Sequence, residues 1–243
     1  MRPHPVLKEY YSDESAREAR IKRLFNDTAR HYDWINKVMS FGRGEIYRKE
    51  ALQRAGLESG QSVLDIGCGT GVLARNEIDI VGPSGFVIGI DPSVGMLKQA
   101  VNRGVNHVAL GRGESLPLCS ESVDFISMGY ALRHVADLKN TFTEYFRVLK
   151  PGGTLLLLEM VLPKSRLMYV LFKIYLRYLI PLIVRLRSGD KETQLMMSYF
   201  WDTMAECVPH QSIIDGLERS GFTQVKRNVI HGIFGEFIAI KDA

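Results

Sequence analysis

Three cysteines in 243 residues, Cys68, Cys119 and Cys207, are too few and too scattered for a disulfide framework, and none has metal-site spacing. Each reads as a small packing residue in a reducing compartment, and no metal is expected. One-sided charge is lacking too: a formal net charge of +4 is too mild to argue for nucleic acid, and none is expected as a partner. The opening MRPHPVLKEYY has no apolar h-region, so no secretory signal is read and the cytoplasm is the default location. Internal repeats and low-complexity tracts are absent. What is there, 46% hydrophobic and 24% charged residues, is the composition of a soluble globular chain. Its length suits one α/β domain over residues 1–243, with its own core, better than two.

Residues 1–11 read as a loose arm. Ser12 is the expected N-cap of a helix running to about Arg30, with Asp13 and Glu14 in its first turn. A second short helix is predicted from His31 to about Ser40, and a third from Tyr47 to Ala55, so residues 1–57 form a helical layer before the first strand. Strands are predicted at Ser62–Ile66, Phe86–Ile90, Val105–Leu110, Val123–Met128 and Thr154–Glu159. Helices at Val72–Asp79, Val94–Val101 and Leu138–Val148 alternate with them, which predicts a parallel sheet covered on both faces. An apolar and basic insert, residues 160–205, precedes a helix at Gln211–Ser220. A closing hairpin, about Gln224–Ile230 and Glu236–Ile240, adds one antiparallel strand.

The stretch Val63-Leu64-Asp65-Ile66-Gly67-Cys68-Gly69-Thr70-Gly71 reads as a buried strand running into a glycine turn. Glycines there uncover backbone N–H groups and let a ligand approach, while the following helix presents its positive end. A lone G-x-G-x-G is a weak signal, but Asp91 at the end of the next strand can accept from both hydroxyls of a ribose. A dinucleotide fold would want G-x-G-x-x-G, whereas Val72 and Leu73 follow here. That shifts the expected ligand to S-adenosylmethionine (SAM), with S-adenosylhomocysteine as product.

Further motifs occur in order: Gly89-Ile90-Asp91, Glu114-x-Leu116-Pro117, Val123-Asp124 and Arg147-Val148-Leu149-Lys150-Pro151-Gly152-Gly153. Together they resemble a class I SAM-dependent methyltransferase. That resemblance implies a Rossmann-like sheet of seven strands, order 3-2-1-4-5-7-6 with the last strand antiparallel. It also implies cofactor contacts at Asp65, Gly67, Gly69, Thr70, Gly71, Asp91, Gly113 and Gly129. Where such enzymes usually carry Asp or Asn against the adenine amine, this chain has Arg112, which is donor-only and is expected as a neighbour of adenine.

Tyr32-Asp33-Trp34-Ile35-Asn36-Lys37-Val38-Met39-Ser40-Phe41-Gly42 and Gly129-Tyr130-Ala131-Leu132-Arg133-His134-Val135 are similar to signatures of the UbiE-type C-methyltransferases of ubiquinone and menaquinone synthesis. The resemblance implies C-methylation of a prenylated quinol, a small lipophilic acceptor. Departures cluster on the substrate side: the signature's methionine is Ile35, its histidine is Gly44, its tryptophan is Tyr47, the asparagine after the loop arginine is His134, and its tyrosine-rich run is Ser198-Tyr199-Phe200-Trp201-Asp202-Thr203-Met204. Reaction at a quinol carbon needs loss of a phenolic proton, because a phenol is mostly neutral at pH 7. His134 titrates in the useful range and is one candidate base. The resemblance implies for Arg133 the ordering of a water that takes the proton; the rival for Arg133 is an ion pair with Glu114 or Asp124. Tyr32, Asp33 and Asn36 are expected to close the front of the pocket, and Asp202 and His210 are lesser candidates for the base.

Leu167–Val184 is long enough to span a bilayer, but Lys173, Arg177 and Pro181 interrupt it. Arg166, Lys173 and Arg177 share a helical face, so peripheral membrane contact through residues 164–187 is expected, on the inner face. Covering the acceptor pocket, or a dimer interface, would account for the same stretch. The oligomeric state stays open, a homodimer included. Two other readings stay open as well: N- or O-methylation of a phospholipid or secondary metabolite, and a SAM-binding scaffold without turnover.

Overall fold

The computed structural model describes residues 1–243, the side chains of Glu14 and Ser15 excepted. Seven strands form one sheet: β1 (Ser62–Ile66), β2 (Phe86–Asp91), β3 (Val108–Leu110), β4 (Val123–Gly129), β5 (Leu149–Met160), β6 (Thr223–Ile230) and β7 (Phe234–Ile240). Their order is β3-β2-β1-β4-β5-β7-β6, parallel except where β7 runs against both β5 and β6. Side chains alternate across it. Leu64, Ile126, Leu155 and Leu157 face helices α5 (Leu138–Val148) and α9 (His210–Arg219). Val63, Phe125, Leu156 and Leu158 face α2 (Gly44–Arg54), α3 (Val72–Val81) and α4 (Val94–Asn102).

A third core lies outside the sheet. Helix α1 (Glu14–Met39) brings Leu24 and Ile35 against Leu176, Ile180, Met196 and Trp201 of the insert. The insert consists of α6 (Arg166–Lys173), a π-helical segment Ile174–Leu179, α7 (Ile180–Ser188) and α8 (Lys191–Ala205). Front layer and insert are therefore one cap, although more than a hundred residues separate them in the chain.

Three expectations for the front layer are corrected. The expected break near Arg30 does not occur: no Gly or Pro interrupts residues 14–39, and α1 is a single helix of 26 residues. Its cap is Asp13, which accepts from the Ala16 N–H at 2.9 Å, and not Ser12. The arm before it is docked. Val208 N donates to Pro3 O at 2.7 Å, Leu138 N to Met1 O at 2.8 Å, and the Tyr10 hydroxyl to Asp202 at 2.5 Å.

Helix α2 is tied to the hairpin by Arg54, whose Nη2 and Nε donate to Glu236 at 2.6 and 3.2 Å. The Glu236 side chain is fully buried on β7. Arg54→Met leaves that carboxylate without its partner and is expected to cost about 2 kcal/mol of stability. Urea unfolding checks this; an unchanged midpoint would show that the pair is dispensable.

Candidate active site

Two cavities of about 570 Å³ each open between the carboxyl ends of the strands and the cap. Tyr32, Gly67, Gly69, Gly129 and Tyr130 line both, so the cavities meet at those five residues. A group bound in one reaches a group bound in the other only there.

The first cavity is built around Asp91. Its carboxylate accepts from the Gly69 N–H at 2.9 Å and the Ser93 N–H at 2.8 Å, which fixes its orientation and leaves lone pairs for a diol. Burial pushes its pKa up to about 6, against the pull of those two bonds. Gly69 lies at φ +56°, and a Cβ there would meet nothing nearer than Gly67 O at 4.0 Å, so the turn leaves room that a side chain would fill. Gly113 and Arg112 lie on the same cavity. The Arg112 guanidinium pairs with Glu18 of α1 at the rim. Open glycine turn, oriented carboxylate and uncovered backbone fit the adenosine and methionine ends of SAM.

Asp65 and Thr70 act from behind the turn. Both are buried, and both line the second cavity only. The Thr70 hydroxyl donates to Asp33 at 2.5 Å, so Asp33 braces the turn. The Ser127 hydroxyl sits between Asp65 and Glu77, at 3.4 and 2.5 Å. A hydroxyl has one proton to give, so one of the two carboxyls carries its own. Burial raises both, and Glu77 raises Asp65 further. Gly71 stands apart from the expectation: at φ +77° its Cβ would come within 2.8 Å of Val105, and it lines neither cavity. Its bareness packs α3 against α4.

The second cavity is lined by aromatics from five directions. Tyr32 comes from α1, Tyr47 from α2, Tyr175 from the π-helical segment, Phe200 from α8 and Phe234 from β7. Asn36 lines it as well. Tyr130 sits at the junction with φ +61°, a strained conformation for a residue with a Cβ. Burial raises the Tyr32 phenol and pushes Tyr130 up to about 12, so both stay protonated at neutral pH.

Arg133 and His134 are placed differently from the sequence expectation. Arg133 is fully buried, donates to Glu159 at 2.9 Å, and lies 4.4 Å behind the Phe200 ring; it lines neither cavity. Neither Glu114 nor Asp124 is its partner: Glu114 accepts from Ala136 N, and Asp124 pairs with Lys150 at 2.8 Å. His134 faces the first cavity alone, stacked on Tyr199 at 5.6 Å. Burial and the charges of Arg133, His4 and Arg17 hold it well below the usual histidine range. Asp202 accepts from Tyr10 and pairs with Arg177 at 3.5 Å, and His210 stacks on Phe237 at 6.0 Å; neither lines a cavity. Tyr130, Arg48, Tyr175 and Phe234 carry the second cavity without having been singled out for it. Only Tyr130 had a local signal, its place directly after Gly129.

A sheet in this order, with a glycine turn and an oriented, buried carboxylate on a cavity at its carboxyl edge, defines a class I SAM-dependent methyltransferase. The ubiE/COQ5 methyltransferase family model matches residues 13–241, and the chain belongs to that family. It is 32% identical over 219 residues to the demethylmenaquinone methyltransferase of Anoxybacillus flavithermus, covering 88% of this chain and 91% of that one. To that of Symbiobacterium thermophilum it is 36% identical over 188 residues, covering 74% and 71%. Among solved structures, a SAM-dependent methyltransferase from Aquifex aeolicus superposes with a TM-score of 0.61 at 20% identity, over 86% of this chain and 97% of that one. The SAM complex of Haemonchus contortus phosphoethanolamine N-methyltransferase 2 gives 0.65 at 16% identity, over 90% and 60%. The chain is an enzyme, a methyltransferase that uses SAM.

Asp91 must be ionised to accept two hydroxyls, so protonation opposes binding. SAM affinity is therefore expected to be full above about pH 7 and to fall as the pH drops through about 6. Asp91→Asn should remove that dependence and Asp91→Ala should abolish binding. Calorimetric titration across pH checks this; a flat wild-type profile would count against the assignment.

Proposed function

We propose that this enzyme C-methylates a prenylated bicyclic quinol of the demethylmenaquinol type. One observation carries the reading: an aromatic-walled cavity of about 570 Å³ meets the cofactor cavity at Tyr32, Gly129 and Tyr130 and carries exposed apolar side chains at its mouth. These are Phe41 and Ile46, with Phe41 stacked on Tyr175 at 5.3 Å. The printed activity of the two bacterial relatives supports the same acceptor.

SAM held in the first cavity would supply an electrophilic methyl group, the acceptor's ring carbon forming the new C–C bond as the S–C electron pair returned to sulfur and the ring proton left to water. The chain's own part is placement. Gly67, Gly69, Gly113 and Gly129 shape the donor side, Thr70 braces the turn from behind through Asp33, and Asp91 holds the ribose. The walls of Tyr32, Tyr47, Phe200 and Phe234 hold a flat ring with its edge at the junction, where reacting atoms need to approach within ~3–3.5 Å. Neutral phenols at Tyr32 and Tyr130 can donate hydrogen bonds to an acceptor oxygen but cannot take its proton at pH 7.

The same helical rod serves substrate and membrane. Phe172, Tyr175 and Leu176 turn toward the cavity, while Leu167, Leu171, Ile174, Tyr178 and Leu186 are exposed. The rod, Arg166–Ser188, is long and apolar enough to cross a bilayer. Its charges favour lying flat on an anionic surface, at the inner face of the membrane. Exposed Lys164 and Arg166 stand at one end, and exposed Arg185 and Arg187 at the other. The expected stripe of Arg166, Lys173 and Arg177 is not free as a unit, because Arg177 is committed to Asp202 at 3.5 Å.

Two measurements test this reading. Pure enzyme with labelled SAM and chemically reduced demethylmenaquinone should give a ring C-methyl product by mass and NMR. An O- or N-methylated product from a lipid extract would replace the acceptor, and SAM binding without transfer to any fraction would favour a scaffold. For the rod, Leu171→Gln with Ile174→Gln should weaken binding to phosphatidylglycerol vesicles ~10-fold or more. Unchanged partition would remove the membrane role.

A further inference from the structure

We infer that Arg48 of α2 is the cation that holds the ionised oxygen of the acceptor in the second cavity. The inference rests on the quinol reading above for its natural substrate, but its electrostatic content stands apart from it. Two arginines line that cavity, and Arg43 is exposed at the rim while Arg48 is half-buried. The Arg48 guanidinium lies 5.0 Å from the centre of the Tyr130 ring, beside the junction where both cavities meet. Its Nη1 donates to Gly44 O at 2.9 Å, which leaves most of its five N–H donors uncommitted. Among the described residues no carboxylate lies within 4 Å of it, whereas Arg54, Arg103, Arg133 and Arg177 all have one.

Gly44 makes this placement possible. A Cβ at residue 44 would stand 2.8 Å from Arg48 Nη1, so a side chain there would displace the guanidinium. The same cavity is lined by the Tyr32, Tyr47, Tyr130 and Tyr175 phenols, the Cys68 thiol and the buried Asp65 carboxyl, with Arg43, Glu50 and His231 exposed at the rim. The phenols are held neutral by burial, and Arg48 offsets part of that cost for both Tyr32 and Tyr130, so its field reaches the junction. An unpaired guanidinium beside a low-dielectric junction stabilises an anion formed there and does so without reorganising. An arginine keeps its proton, so Arg48 holds the phenolate while the phenolic proton itself passes to water.

The test uses the full-length protein with S-adenosylhomocysteine bound and 4-nitro-1-naphthol, a bicyclic phenol whose anion is coloured. Absorbance titration should show the bound probe ionising about one pH unit or more lower in wild type than in Arg48→Met, with Arg48→Lys in between. Equal values in wild type and Arg48→Met would overturn the inference, whatever the natural acceptor is. With reduced demethylmenaquinone, Arg48→Met should lose roughly 100-fold in kcat at pH 7 and recover part of that as the pH rises. SAM affinity should stay unchanged, which also reports an intact fold. A loss equal at every pH would mark Arg48 as structural. Failure of wild type itself to methylate the quinol would refute the acceptor, and the probe titration would still decide Arg48.

Discussion

Asp33 accepts from the Thr70 hydroxyl and from Arg103 Nη2, each at 2.5 Å, and Asn26 accepts from Ser93 Oγ and Gly95 N at 2.7 and 2.8 Å. These bonds hold α1 across the carboxyl ends of β1 and β2, over the glycine turn and the start of α4. Arg17 extends the seam by donating to the Arg133 and Val135 carbonyls at 3.3 and 3.2 Å. Everything the site does depends on this registration. The sheet alone would offer an open groove; with α1 laid over it, the groove becomes two cavities divided at Tyr32. The insert then packs on the far side of α1, so its position is set through the same helix.

Charge is distributed around the junction in a consistent way. The buried Asp65 and Glu77 carboxyls share protons through Ser127, and Arg133 is neutralised by Glu159. His134 is kept uncharged by burial and, further, by the cations near it. Asp91 lies on the donor cavity and Arg48 on the acceptor cavity, with further charged side chains on both linings, among them Lys22 and Glu114 on the first and Arg43 and Glu50 on the second. A sulfonium and a phenolate are the charges that methyl transfer to a quinol carbon brings together. At a low-dielectric junction these two charges act strongly on one another.

Much of this was legible in the residues. Alternation and glycine punctuation marked β1, α5 and the closing hairpin, and Asp91 was legible as a cavity-facing acid because strand ends and acids are local signals. What escaped was tertiary. The His31–Asn36 stretch suggested a new helix, but packing on α8 and α4 carries α1 straight through it. The arm at residues 1–11 has no periodicity, yet Tyr10 and Tyr11 are drawn into the cap core. Gly71 looked like the third glycine of a ligand turn, and only the position of Val105 shows that it serves packing. Arg48 carried no signal at all, since its meaning lies in Tyr130 and in the bare Gly44.

The departures from the family's signatures divide along the same line. In the run Ser198–Met204, Tyr199 packs against His134 and Tyr10, Trp201 against Tyr169 and Phe172, and Asp202 bonds Tyr10. Phe200 is the one member of that run on the acceptor cavity, with Arg133 behind it. So most of that altered run repacks the cap and leaves the acceptor cavity walls to other residues. Gly44 and Tyr47 are different: both line the acceptor cavity, and Tyr47 stacks on Phe234 at 4.4 Å. A side chain lost at 44 and a ring exchanged at 47 lie on either side of the room that Arg48 uses. Of the departures on the acceptor cavity, two therefore sit on one short helix, α2, beside Arg48, and one, Phe200, comes from the insert.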